Sequence, residues 1–124
     1  MKGPKRQGLR DAIALFHSGD YIEFQEALEA LHHGADEIGR FFYEALIQLA
    51  TALRLVNEFE SKAGAERMLR QALIKLESIP PTYQRVNVKA LMRDTESLLT
   101  RLKDRSVNPM AERTIPKIRL KFWG

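Results

Sequence analysis

The chain is predicted to be all-α, an antiparallel bundle of about five helices with an extended C-terminal arm. Three observations carry that prediction. Apolar residues recur at three- and four-residue spacing in successive segments between Leu9 and Leu102, the rhythm of one buried helix face. Breakers and capping residues (Ser18-Gly19-Asp20, Gly34 and Pro80-Pro81) separate those segments,. Beyond Asp104 the rhythm changes: Ile118, Leu120 and Phe122 alternate with Lys117, Arg119 and Lys121, which is the two-residue period of an extended strand.

The first helix is expected from about Leu9 to His17, where Ala12, Ile13 and Phe16 share a face,. Asp20 followed by Glu23 has the form of a capping box, so the second helix should begin at Tyr21,. Its stripe is Tyr21, Phe24, Ala27, Leu28 and Leu31, and Gly34 is expected to end it in the left-handed conformation,. The third helix, about Asp36 to Asn57, carries Ile38, Phe41, Phe42, Ala45, Leu46, Leu49, Ala50, Leu53 and Val56 on a wide face, with Ile47 and Leu55 opposite. A helix apolar most of the way round is covered on several sides, which makes this the central element. The fourth, about Lys62 to Leu76, stops before the proline pair, because proline disfavours helix in the residue before it,. The fifth is expected from about Asn87 to Lys103. An isolated strand has unpaired backbone groups, so the arm should lie against the bundle or against another copy of the chain.

A chain of 124 residues, 44% hydrophobic and 29% charged, reads as one domain,. Residues 1–8 are expected to be a flexible basic N-terminus, 9–103 the helical bundle and 104–124 an extended basic arm. The absence of cysteine excludes disulfides, thiolate zinc sites and cysteine nucleophiles,. No apolar signal core and no membrane-length apolar run are present, which points to the cytoplasm and to no membrane partner. Residues 11–60 hold two bases and ten acids, whereas residues 61–124 hold fourteen bases and six acids. Such opposed halves could attract between copies of the chain, so a homodimer or a protein partner is expected; the plainer outcome is neutralisation within one fold.

Polar residues at the border of the apolar stripes are where chemistry could reside. Gln25, Glu29 and His32 are spaced four and three apart, within a sector of about 60° on one helix. Gln48 abuts the main face of the third helix, with Glu44 and Thr51 beside it. Gln25, Glu29, His32, Glu44 and Gln48 form the candidate polar cluster.

The run ALFHSGDYIEFQEALEALHH, then FFYEALIQLATAL, then a glycine-alanine-containing helix with QALIKL, resembles the small prokaryotic helical family known as domain of unknown function 309. That family's pattern is a Gly-x-Tyr/Phe turn, then His-Glu, two residues, Glu, two residues, Trp, followed by Leu-Ile-Gln on the next helix. Here Gly19 and Tyr21 match the turn, Glu26 and Glu29 the acids, and Leu46-Ile47-Gln48 the later motif, over roughly Ala12 to Leu76,. Gln25 stands where the family has histidine and His32 where it has tryptophan. The resemblance implies an all-helical fold and little about activity.

Three readings of the chemistry follow. The preferred one is structural: Gln48 and Glu29 hydrogen-bond across the interface of the second and third helices, with His32 packed at its edge, and no cofactor is required. A metal-binding alternative uses Glu29-x-x-His32 with Glu44. A nucleic-acid alternative uses the basic second half and the arm, where Lys117, Arg119 and Lys121 would meet phosphates and Phe122 or Trp123 would stack on a base; the same arm is the candidate partner-binding segment. His17 is most simply a residue bonded to the last carbonyls of its helix. Glycines are scattered, so no phosphate-binding loop is present, and no catalytic residue is assigned.

Overall fold

The computed structural model describes residues 5–104 and 115–120. Five helices follow in order, α1 (Lys5–His17), α2 (Tyr21–His33), α3 (Glu37–Phe59), α4 (Lys62–Glu77) and α5 (Val88–Leu102), with a short hairpin of β1 (Thr82–Tyr83) and β2 (Val86–Asn87) before the last. The all-helical bundle is therefore observed, with one small antiparallel sheet that the sequence reading did not contain. Each helix packs on the next, and the contact of α3 with α4 is the most extensive. No helix among the described residues is long and apolar enough to cross a membrane.

α3 is the central element, as its composition requires. Phe42, Tyr43, Ala45, Leu46, Leu49, Ala50 and Leu53 are all buried, and they meet Leu28 of α2, Leu69 and Leu76 of α4 and Leu91 of α5 in one continuous core. Each large apolar side chain fully withdrawn from water contributes about 1.5–3 kcal/mol, so this seam supplies most of the driving force for assembly. At the other end Phe16 packs edge-on against Tyr21 and tilted against Phe24, with ring centroids 5.4 and 5.0 Å away. These rings fix α1 on α2.

The helix ends show where local expectations hold and where packing replaces them. Asp36, Ser61 and Asn87 are N-caps whose side chains accept from the amides of Gly39, Gly64 and Ala90, which satisfies donors that the first helical turn leaves free. Asp20 precedes α2 but makes no side-chain cap bond, so the capping box is not formed. Its backbone, at φ −86° and ψ 66°, is close to those of Ser61 and Asn87, so backbone geometry alone does not form the cap. Gly34 is not left-handed either, with φ −105°; that role falls to Gly19, at φ 82° in the α1–α2 turn,. α1 begins four residues earlier than Leu9, and α3 extends two residues past Asn57.

α3 and α4 approach closely at their junction. A Cβ on Gly64 would lie 2.9 Å from Ser61 Oγ and 3.3 Å from Leu55 Cδ1, so the glycine lets the first turn of α4 sit against the last turns of α3. α3 itself stops at Glu60, held at φ 52°, where the Glu60 and Ser61 amides both return to the Leu55 carbonyl, the latter at 2.9 Å, so the last turn is wider than an α-helical one.

The hairpin turn places both Gln84 (φ 49°) and Arg85 (φ 67°) in the left-handed region. A two-residue hairpin loop needs that geometry because its twist must match the strands. Asparagine and glycine normally supply it, which is why a turn made by Gln-Arg was not legible. Tertiary contacts offset the strain: the Tyr43 hydroxyl donates to Gln84 Oε1 at 3.1 Å, and Phe42 stacks edge-on with Tyr83 at 5.0 Å.

The arm lies in cis where it is described. Val86 pairs antiparallel with Leu120, and the Asn87 amide donates to the Arg119 carbonyl at 2.9 Å. The segment thereby lies beside β2 through one isolated bridge, and Ile118 is buried at 1% exposure. Lys121, Phe122 and Trp123 lie outside the described residues.

Candidate functional site: the polar seam between α2 and α3

α2 and α3 meet along a line on which polar side chains interrupt apolar packing. α3 presents Glu44, Ile47, Thr51, Arg54 and Glu58 at alternating three- and four-residue steps, so these residues share one face. The helices run antiparallel: Gln25 lies opposite Thr51, and seven residues later His32 lies opposite Glu44. Two polar stations result, about 10 Å apart along the helix axis.

At the first station Gln25 donates from Nε2 to Thr51 Oγ1 at 2.6 Å and to the Ile47 carbonyl at 3.4 Å. Its Oε1 accepts from Arg54 at 3.4 Å. Thr51 donates its own hydroxyl to the Ile47 carbonyl at 2.9 Å, so the hydroxyl accepts from Gln25 and donates to the backbone in a part-buried position. Arg54 also pairs with Glu58 one turn on, at 3.3 Å. Partly exposed i,i+4 pairs of this kind are worth only about 0.3–0.5 kcal/mol; their effect is to orient the guanidinium toward Gln25.

At the second station His32 Nε2 and Glu44 Oε2 are 2.8 Å apart, with 32% and 40% of the side chains exposed. An ionised carboxylate has no proton to give, so the imidazole donates from Nε2 and its Nδ1 is left as the remaining ring position. The imidazole is thereby held in one orientation at the protein surface.

The other candidates do not join these stations. Glu29 is exposed and makes no hydrogen bond or ion pair among the described residues, so the expected Gln48–Glu29 bond is not formed. Gln48 turns toward α4, where its Nε2 donates to Gln71 Oε1 at 2.9 Å, and its own Oε1 is buried without a partner among the described residues. The reason is angular: Glu44 and Gln48 are four residues apart, and the further 40° is enough to move Gln48 from the α2 groove toward the α4 groove. The proposed trio of Glu29, His32 and Glu44 is corrected on the same ground. Among the described residues no group of three or more histidines or carboxylates is placed to hold a metal ion.

His17 differs from expectation as well. Ser18 Oγ, rather than the imidazole, donates back to the Ala14 carbonyl at 3.0 Å. His17 Nε2 instead accepts from the backbone amide of Ile118 at 3.2 Å. Burial holds this histidine below the usual imidazole range, and the charges of Lys117 and Arg119 act in the same direction. On the arm, Arg119 pairs with Asp94 at 3.7 Å, and Asp94 also accepts from the Lys117 amide at 3.2 Å.

Arg54 and Gln71 are partners the sequence reading missed. Arg54 was available to it, because it lies three residues after Thr51 on the same face. Gln71 was not, because the register of α4 against α3 follows from packing alone.

Residues 9–68 match the family model described as domain of unknown function (DUF309). The chain carries a domain of that family. No curated protein matches the sequence significantly. The DUF309 match runs from α1 into α4 and contains the whole α2–α3 seam, whereas Gln71, the hairpin, α5 and the arm lie beyond it. Within the DUF309 domain, Gln25 and His32, the two departures from the family pattern, are also the α2 side chains bonded to side chains of α3.

Proposed function

We propose that this chain is a non-enzymatic protein-interaction module of the cytoplasm that associates with a second copy of itself. The observation that carries the reading is the distribution of spent and unspent groups. The polar side chains of the seam are committed to one another, Gln25 with Thr51 and Arg54, His32 with Glu44. Large apolar side chains stand in solvent instead: Ile22, Ile38, Phe41, Phe59 and Ile74 are 42–67% exposed. Ile38 and Phe41, three residues apart on α3, share one face,, and adjoining exposed apolar side chains of this kind are stabilised by docking. The acidic first half and basic second half supply complementary charge for a like partner,.

Sedimentation velocity at high micromolar concentration tests this reading. A dimer that becomes a monomer in the Ile38→Ser/Phe41→Ser double variant is the expected result. A monomeric parent protein overturns self-association. Metal analysis of protein purified without an affinity tag checks the competing metal reading at His32 and Glu44, and a stoichiometric transition metal would favour it.

A further inference from the structure

The described C-terminal segment is fastened to three elements at once. Its backbone pairs with β2 through Leu120 and Arg119, its Lys117 amide reaches Asp94 on α5, and its Ile118 amide reaches His17 at the end of α1. Residues 115–120 therefore tie the first helix to the last. Of the three attachments, only the one to His17 depends on a group that titrates near neutral pH.

The geometry points to His17 as a proton-operated latch on this segment: the neutral ring holds Ile118 in place, and the protonated ring lets it go. A ring nitrogen that accepts from a backbone N–H carries no hydrogen of its own, so the latched ring is the neutral tautomer with its proton on Nδ1. Protonation puts a hydrogen on Nε2 and sets donor against donor at 3.2 Å. The new charge then faces two cations, Lys117 and Arg119, which flank the bonded residue. No acid answers it. Asp94, the carboxylate that α5 contributes, is already engaged by the Lys117 amide and the Arg119 side chain. On α1 the residues one turn back are Ile13 and Ala14, and Phe16 meets the imidazole edge-on at 5.7 Å. The hairpin residues that bond the segment, Val86 and Asn87, are uncharged. His17 as a residue is only partly withdrawn from water, so protons reach it without any prior opening. Release of the segment uncovers Ile118, now buried, and frees the Asn87 amide of β2 from the Arg119 carbonyl.

The linkage has a definite sign. The folded-state value of His17 lies below the ordinary imidazole value of 6.5, so as pH falls from that value the unfolded or unlatched forms take up the proton first. Stability of the latched form is full above that window and is lost through it. The latch is thus closed at neutral pH and opens in mild acid, and it acts in a monomer as well as in a dimer.

Amide hydrogen exchange followed by NMR reads the latch directly. Between about pH 7.5 and about pH 5, protection of the Ile118 amide, corrected for the intrinsic exchange rate, is expected to fall about tenfold, the equivalent of one hydrogen bond. Amides of Leu46 and Leu49 in α3 should keep their protection, which separates unlatching from global loss of structure. In His17→Gln, whose amide oxygen accepts at every pH, the fall at Ile118 should vanish. An equal fall in that variant, or constant protection of Ile118 in the parent, overturns the proposal. Nitrogen chemical shifts of the parent's imidazole give an independent reading: an Nδ1–H tautomer titrating below 6.5 is required, and an Nε2–H tautomer at neutral pH is incompatible with the latch.

Discussion

Gln25 is the residue on which the α2–α3 seam turns, because it is at once donor to Thr51 and acceptor from Arg54. Glutamine suits that position where a charged group would not: both ends of its amide are satisfied, and no ion has to be desolvated. Replacing it with alanine removes two side-chain partners in a part-buried place. Gln25→Ala is expected to cost about 1–2 kcal/mol, seen in urea unfolding as a lower midpoint with an unchanged slope. His32 and Glu44 make a more open station, where exposure limits the energetic value of the pair. Its consequence is orientation of the imidazole rather than stability.

At the scale of elements, α3 shows how termini and packing divide the work. Asp36 begins it with a side-chain bond to Gly39 at 2.8 Å, and the helix then runs through the core until Glu60 turns left-handed. A glutamate there carries the steric cost of a Cβ at positive φ, which glycine avoids. Glu60→Gly should therefore stabilise the protein by about 0.5–1 kcal/mol, raising the thermal midpoint, whereas Glu60→Ala should give no such gain. The hairpin between α4 and α5 has the same kind of strain at Gln84 and Arg85, but there the Gln84 side chain answers the buried Tyr43 hydroxyl. Burial raises the Tyr43 pKa and the Gln84 bond lowers it, with burial the larger cause.

For the whole molecule, the described arm is a tie between its first and last helices. Ile118 is its apolar anchor, at 1% exposure. Ile118→Ala should cost about 2–3 kcal/mol and should also accelerate proteolysis at the C-terminal end relative to the bundle. If the variant unfolds at the parent's urea midpoint, the segment contributes nothing to stability and the tie is dispensable. The opposed charges of the two halves belong to this scale too, since acids are concentrated in residues 11–60 and bases in residues 61–124.

The sequence by itself determined the helical class, the five helical segments and the central place of α3, because helical periodicity is written in neighbouring residues; the caps at Asp36 and Asn87 came from the structure, and the one read from sequence, at Asp20, did not form. It also placed Gln25 and His32 beside the core, since spacing on one helix is a local property. Only the tertiary structure decided which partner each polar residue meets. Gln48 turns to Gln71 instead of Glu29, Glu29 stays in solvent, His17 receives a strand 101 residues away, and Gln84 and Arg85 form a turn that their types disfavour. Those outcomes depend on the rotation and register of one helix against another, which the combined packing of the core sets and no single segment encodes.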